Sequence, residues 1–301
     1  MSINRRDFIR QSSLGLGTAM VLPGFSLPPD PANPVKFFMP QWGSKLSYVN
    51  FFENVKKDGY DGIEMSLPKD DGERKDAIGK IKASGLAYVA QIHQPKELDL
   101  KKHIEEAKGY VKMMAEAEPL FINSHTGKDF FSFAHNQEII QTLNEYAKSL
   151  SVKLIHETHR GRFSFAAHVT LEHLKKSSDL RLTFDVSHWM CVAESLLENQ
   201  PEAVDMAIQH TDHIHSRVGF AEGPQITDPK APEWKYALDA HIVLWDRIVE
   251  RKRKAGEALT ITTEFGPAPY MVSQPFTKQP IVSQWDTNVF MKEILSKRYN
   301  A

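Results

Sequence analysis

The stretch Arg181–Cys191 reads RLTFDVSHWMC and combines a strand pattern with two ionisable side chains. Alternation places Leu182 and Phe184 on one face of a short strand and Asp185 on the other. His188 follows three residues later, where the strand gives way to a loop. Carboxylate and imidazole are ligands of divalent cations, and an unpaired buried carboxylate is costly. Two interpretations are open here: Asp185 ligates a metal, or it caps a helix beside a surface histidine.

Outward from this stretch, apolar strands alternate with amphipathic helices eight times. The predicted strands are Val35–Trp42, Asp61–Met65, Ala87–Gln94, Leu120–His125, Val152–Thr158, Arg181–Ser187, His213–Val218 and Leu259–Phe265. Eight strand–helix units in one chain of this length predict an α/β fold, a single-domain (β/α)8 or TIM barrel. A doubly wound open sheet is less favoured, because no glycine-rich phosphate turn follows the first strand. The segment Gly219–Pro232 is predicted to be the longest non-helical connection, a lid or rim.

Composition excludes several classes of protein. Net charge is −1 without a long run of one sign, which argues against a nucleic acid partner or an anionic membrane surface. The single cysteine, Cys191, excludes an intrachain disulfide framework and a multi-cysteine zinc site. Thirteen histidines is a high number, and several stand at predicted strand ends.

The first 34 residues differ from the rest. Paired arginines in Asn4–Arg10 precede a weakly apolar run from Ser13 to Phe25, and prolines between positions 28 and 34 then form a stiff linker. The pattern resembles a twin-arginine export signal and predicts a periplasmic or otherwise exported protein. The apolar run is too short and interrupted to span a bilayer stably. We therefore divide the chain into residues 1–34, signal and linker, and residues 35–301, the barrel.

Ionisable residues end each of the last four predicted strands: Glu157, Asp185, His215 and Glu264. In a TIM barrel the carboxyl ends of the strands form the active site. Period-two alternation turns these side chains inward and their apolar neighbours outward. Four inward ionisable groups on adjacent strands would repel or be neutralised unless a cation compensated them. The sequence therefore predicts a divalent-metal site made of these four residues, with His213, one layer deeper, as the less favoured imidazole ligand.

With these motifs the chain resembles the xylose-isomerase-like TIM-barrel superfamily, which includes sugar isomerases, ketose 3-epimerases, inosose dehydratases and endonuclease IV. The matching pieces are Gly59–Glu64, Glu157, Asp185-x-x-His188, His215-x-Arg217 and Glu264-Phe265-Gly266. Their order is close to that of the ketose 3-epimerases. The resemblance implies one metal ion, most often Mn²⁺ with Mg²⁺, Co²⁺ or Zn²⁺ as alternatives, held by the four strand-end residues. It also implies that the two glutamates act as acid and base, and that His188 and Arg217 hold substrate oxygens.

Other residues are weaker candidates for substrate binding. Glu64 could hydrogen-bond a sugar hydroxyl or a rim lysine. His93 and His125 end the third and fourth predicted strands and could line the pocket, hold a second metal or be hydrogen-bonded rim histidines. Trp42 and Trp189 offer flat faces for a sugar ring, or simply pack.

Charged and aromatic residues also crowd the chain around Glu157. His156 and His159 flank it and are expected to support it. Arg160 and Arg162 could orient a substrate carboxylate or phosphate, or pair with acids on the surface.

The predicted function is thus a metal-dependent isomerase or epimerase of a small carbohydrate, working through a metal-stabilised enediolate. A lyase or dehydratase acting on a keto-sugar or inosose would need the same site, and a non-catalytic exported sugar-binding barrel is a further alternative. An endonuclease-IV-like enzyme is disfavoured, because no Asp-x-His pair follows the seventh strand and the chain has no basic excess. A homodimer is left open.

Overall fold

The computed structural model describes residues 34–93 and 95–300. The predicted export signal lies outside these residues. Within the described part of the chain, no helix is both long enough and apolar enough to cross a bilayer.

Eight parallel strands close into a barrel in chain order, so the predicted TIM barrel is confirmed. The first and last strands pair, with Phe37 opposite Ile261. The strands are β1 (Lys36–Pro40), β2 (Gly62–Met65), β3 (Ala87–Ile92), β4 (Ile122–Ser124), β5 (Leu154–Glu157), β6 (Leu182–Phe184), β7 (Thr211–His215) and β8 (Thr260–Thr262).

Nine described helices surround the barrel, together with a 3-10 turn at Pro232–Trp234. They are α1 (Tyr48–Lys57), α2 (Asp71–Ser84), α3 (Leu100–Ala115), α4 (Phe133–Ser149), α5 (Ala167–Lys176), α6 (Val186–Val192), α7 (Pro201–His210), α8 (Lys235–Lys254) and α9 (Gln284–Tyr299). Several begin at a side-chain cap: Ser47, Asp70, Asp99, Ser132 and Ser283 each accept a hydrogen bond from a backbone N–H of the first turn.

Strand alternation divides the apolar residues between two cores. Ile214 and Ile261 face outward and join the large cluster between the sheet and the helices. Phe38, Val89 and Ile155 face inward with Phe121 and fill the barrel interior. Above this plug the inward positions become polar and form the candidate site.

The structure corrects two predictions about connections. The predicted strand Arg181–Ser187 ends at Phe184, because α6 begins directly afterwards. The longest connection free of α- or 3-10 helix in the described chain is residues 263–283, after β8, and not the segment after β7. Prolines recur through residues 267–280 and supply no backbone N–H, which explains why no helix forms there.

Candidate metal centre

The four predicted ligands converge at the carboxyl end of the barrel. Glu157 and His215 end β5 and β7, Asp185 directly follows β6, and Glu264 follows β8. All four side chains are buried, with Glu264 the most exposed at 4%. One ligand atom from each residue lies within 4.8 Å of those of the other three. This is the spacing of donors that share one cation, and the set offers three carboxylates and one imidazole.

Unpaired polar atoms line this cluster. His215 Nδ1 lies 2.8 Å from Glu264 Oε2 and 3.6 Å from Glu157 Oε2. Neither His215 Nδ1 nor Glu264 Oε2 forms a hydrogen bond within the described chain, and Glu157 Oε1 has no partner there either. His215 Nδ1 and Glu264 Oε2 thus lie at ion-pair distance from each other, but neither atom uses its hydrogen-bonding capacity. Buried polar atoms without partners cost free energy, so the residues present fit a divalent cation.

Opposite charges inside the cluster shift the pKa values of its side chains. Burial lowers the pKa of His215, but Glu264, Glu64 and Glu157 outweigh it and raise that pKa well above the ordinary value. Burial raises the pKa of Glu157, yet His125 and His215 hold it well below its usual range. Glu157 is therefore a carboxylate at neutral pH.

Asp185 has two roles, one for each of its oxygens. Oδ1 accepts hydrogen bonds from Ser187 N at 3.0 Å and Ser187 Oγ at 2.5 Å, and so caps α6. Oδ2 accepts a hydrogen bond from Arg217 Nη2. Burial raises the pKa of Asp185 to about 6, against the opposing effect of Arg217. The helix-cap interpretation of Asp185 is thus correct, but the accompanying surface histidine is wrong, since His188 is fully buried on α6.

Arg217 and His188, the predicted substrate contacts, pair with each other. Arg217 Nη2 donates to His188 Nε2 at 2.6 Å, which places the proton of a neutral imidazole on Nδ1. His188 Nδ1 has no partner in the described chain. The guanidinium also stacks over Tyr270, with 4.6 Å between Arg217 Cζ and the ring centroid.

Glu64 lies beneath the four ligands and not at the rim. Its carboxylate lies 3.0 Å from His215 Nε2 and 3.3 Å from His213 Nε2, and it accepts a hydrogen bond from Thr262. It makes no ion pair with a lysine in the described chain, so a rim-lysine partner is wrong. His213 lies deeper in the barrel, 5.1 Å from the Phe121 ring between ring centroids.

Sequence reasoning missed Asn123 on β4. Its Nδ2 donates to Glu64 Oε1 at 2.9 Å and to Glu157 Oε2 at 2.8 Å. The amide therefore bridges the deeper carboxylate and the ligand carboxylate. Phe121 and Asn123 share strand parity, and this was the signal that could have found it.

A row of imidazoles borders the site. His125 Nε2 lies 3.0 Å from Glu157 Oε2, the His125 and His159 rings are 4.2 Å apart, and the His159 and His188 rings 3.9 Å. His93 is exposed, with its ring 5.7 Å from that of His125. His125, Glu157 and His159 form a second group whose ligand atoms are close enough to share a cation.

Trp42 lies at the mouth of the barrel. Its ring meets Tyr270 edge-on at 5.3 Å and packs on Gly266, where a Cβ would overlap the indole. Tyr270 was not predicted, because a loop residue carries no periodic signal. Trp189, by contrast, is fully buried and donates to Ser164 O at 2.8 Å, so it belongs to the core.

Comparison with known proteins finds similarity in fold. No protein-family profile and no curated protein sequence matches the chain. D-psicose 3-epimerase from Clostridium cellulolyticum H10, solved with D-tagatose, superposes with a TM-score of 0.60 at 12% identity, covering 88% of this chain and 100% of that one. The chain shares the fold of these TIM barrels.

Two further solved structures resemble it. The probable 3-DHS dehydratase AsbF from Bacillus anthracis gives a TM-score of 0.57 at 17% identity, covering 88% of this chain and 100% of that one. A xylose isomerase-like TIM barrel protein from Mycobacterium smegmatis, in complex with magnesium, gives 0.56 at 9% identity, with 88% and 97% covered. The fold is thus one that carries sugar epimerases, a dehydratase and a magnesium-bound protein.

Proposed function

We propose that the protein is a divalent-metal-dependent isomerase or epimerase of a small carbohydrate. The observation that carries the proposal is the convergence of Glu157, Asp185, His215 and Glu264 from the ends of four adjacent strands, with one ligand atom of each within 4.8 Å of the others. All of these residues except Asp185 also have a buried polar atom without a hydrogen-bond partner in the described chain. The solved structures of similar fold include an epimerase bound to a sugar and a protein bound to magnesium, which supports this reaction class.

The residues of the site would have separate roles in this reaction. A bound Mn²⁺ or similar ion would polarise the carbonyl and hydroxyl oxygens of the substrate and so acidify the neighbouring C–H. Glu157, kept ionised by His125 and His215, accepts that proton. Glu264, just after β8, which is not adjacent to β5, returns a proton from another direction, as a change of configuration requires. Arg217 and His188 hold substrate oxygens, and Tyr270 and Trp42 restrict water at the mouth.

The test is incorporation of solvent deuterium at a sugar carbon, screened over keto- and aldo-sugars with Mn²⁺. We expect exchange in the wild type, its loss in Glu157→Gln and Glu264→Gln, and no change in Glu250→Gln, an exposed carboxylate paired with Lys254. Because both glutamates are also proposed ligands, bound manganese is measured in every variant and exchange is assayed at saturating metal. Exchange that survives both substitutions would refute the two-glutamate mechanism.

Metal binding has its own measurement. Calorimetric titration with Mn²⁺ should give one tight site that weakens at least tenfold in Asp185→Asn, since a charged ligand is lost. Tight metal binding with no turnover of any sugar would favour a sugar-binding barrel instead.

The same screen separates an epimerase from a dehydratase. The similarity in fold to the probable 3-DHS dehydratase keeps elimination as the second candidate reaction. A product that is lighter than the substrate by one water molecule, detected by mass spectrometry, would identify the dehydratase reaction.

We further propose that residues 1–34 form a twin-arginine export signal, on the basis of the paired Arg5 and Arg6. Replacing both by lysine should retain the protein in the cytoplasmic fraction of the cell. Unchanged recovery from the periplasmic fraction would contradict this.

A further inference from the structure

Two buried cations lie in loops at the carboxyl end of the barrel, and neither has a carboxylate partner within the described chain. Lys128, in the loop after β4, and Arg162, in the loop after β5, are each only 8% exposed. Neither forms an ion pair within the described chain, whereas other buried cations do: Lys252, for example, lies 2.6 Å from Asp212 Oδ1. Burying a charge without a counter-charge is expensive, so this pair is unusual.

The two loops are joined directly beside these cations. Phe163 N donates to Thr126 O at 3.1 Å, which places Lys128 and Arg162 within two residues of the same backbone contact. Gly127, directly before Lys128, has φ +63°, and a Cβ there would overlap the side chain of Asn136 on α4. The backbone path that leads into Lys128 therefore requires glycine at 127.

Arg162 connects this pair to the proposed proton-transfer residues. Arg162 Nη2 donates to the backbone oxygen of His93 at 3.4 Å, and the His93 ring contacts that of His125, which itself contacts Glu157. Two histidines therefore separate Arg162 from the proposed base, Glu157.

The hydrogen-bonding capacity of the pair is not fully used. Arg162 Nε is buried without a partner in the described chain. Burial, and next the charge of Arg162, lower the pKa of Lys128. Of the acids that influence Lys128, Asp129 is exposed, and Glu106 instead accepts from the backbone N–H groups of residues 96 and 97.

We propose that Lys128 and Arg162 form a subsite for a carboxylate or phosphate group of the substrate. The substrate is then an anionic carbohydrate, either a sugar acid or a sugar phosphate, and not a neutral sugar. Guanidinium and ammonium groups are the side chains that bind such oxyanions. Arg160, over the Tyr270 ring at 5.3 Å and also without an ion pair in the described chain, adds a third positive charge at the mouth. This inference rests on the proposed function, whose metal and proton-transfer residues it leaves unchanged.

The experiment compares a neutral ketohexose with the corresponding ketose acid and ketose phosphate, using deuterium exchange in the manganese-loaded protein. We expect turnover of one anionic compound, with kcat/KM lowered about 10- to 100-fold in Lys128→Met and Arg162→Met, the range for losing a hydrogen bond to a charged group. Arg162→Lys should recover part of the loss. Arg247→Met, which removes a partly exposed arginine paired with Asp205, serves as the matched control.

The outcomes separate the two proposals. If the neutral sugar is turned over as fast as the charged ones, or if the substitutions slow all three compounds equally, the anionic subsite is refuted while the isomerase stands. If no compound exchanges, the proposed reaction fails. The subsite is then tested by calorimetric binding of the same three compounds: binding restricted to an anionic one and lost in Arg162→Met supports it, and equal or absent binding overturns it.

Discussion

Replacing Asn123 by leucine should destabilise the barrel by removing the one amide that joins Glu64 to Glu157. The two carboxylates need N–H donors, so the amide nitrogen faces both, giving one hydrogen to each at 2.9 and 2.8 Å. Leucine keeps the approximate shape and removes both bonds.

The magnitude follows from these contacts. A hydrogen bond to a charged group contributes about 1.5–3 kcal/mol, so two contribute about 3–6 kcal/mol. Glu64 and Glu157 retain contacts with His215 and His125, respectively, so we expect the lower end, about 3 kcal/mol. In a domain of this size that corresponds to a fall in melting temperature of about 6–12 °C.

The assay is urea unfolding followed by circular dichroism at neutral pH. The control is Asn50→Leu, an exposed residue of α1, which should change stability by no more than about 0.5 kcal/mol. Asn123→Asp should be worse than leucine at neutral pH, because a third carboxylate joins two others, and should recover partly on acidification. A loss below about 1 kcal/mol in Asn123→Leu would refute the idea that this amide holds the carboxylates together.

Two further predictions concern buried residues that are not proposed ligands. Burial lowers the pKa of His156 from 6.5 to about 3, so it contributes stability that is full above pH 6.5 and is lost as the pH falls towards 3. His156→Gln should reduce the slope of unfolding free energy against pH by about 1.4 kcal/mol per pH unit between pH 6 and 4. The control is His168→Gln, at an exposed histidine. An unchanged slope in His156→Gln would contradict the lowered pKa of His156. Gly266→Ala should displace Trp42, lower the free energy of unfolding by about 1–3 kcal/mol and change tryptophan fluorescence. Gly79→Ala is the control: Gly79 lies within α2, a Cβ there would meet no neighbouring atom, and the substitution should stabilise the protein by about 0.5–1 kcal/mol. A Gly266→Ala protein as stable as the wild type would show that Trp42 can move at the mouth of the barrel without cost.

Strand alternation was enough to anticipate the barrel and the meeting of its strand-end residues. Glu157, His215 and their neighbours obey a period of two, and the closed sheet then turns them towards one axis. The same rule made the strand at Asp185 too long, because β6 stops after three residues and the carboxylate both caps α6 and lies among the other ligands. The Asp185 side chain both caps a helix and lies in the candidate site, and the sequence alone could not show that it has both roles.

Residues outside regular periodicity were harder to find. Tyr270 reaches Arg217 from the long connection after β8, whose path depends on tertiary contacts. Lys128 and Arg162 belong to different loops, and only the folded structure shows that each lacks an acidic partner among the described residues. The sequence left surface pairing open for Arg162, and the structure excludes it within the described residues.

Both oxygens of the Asp185 carboxylate already have partners in the protein, which affects how a metal ion could use this residue. Oδ1 accepts hydrogen bonds from Ser187, and Oδ2 accepts one from Arg217. A carboxylate oxygen has two lone pairs, so a metal ion bound by the proposed set would share an oxygen with one of these donors and would not need to displace it. Asp185 would then link the ion to the start of α6 through Ser187 and to Arg217, which ties the position of the ion to that of the proposed substrate-binding guanidinium.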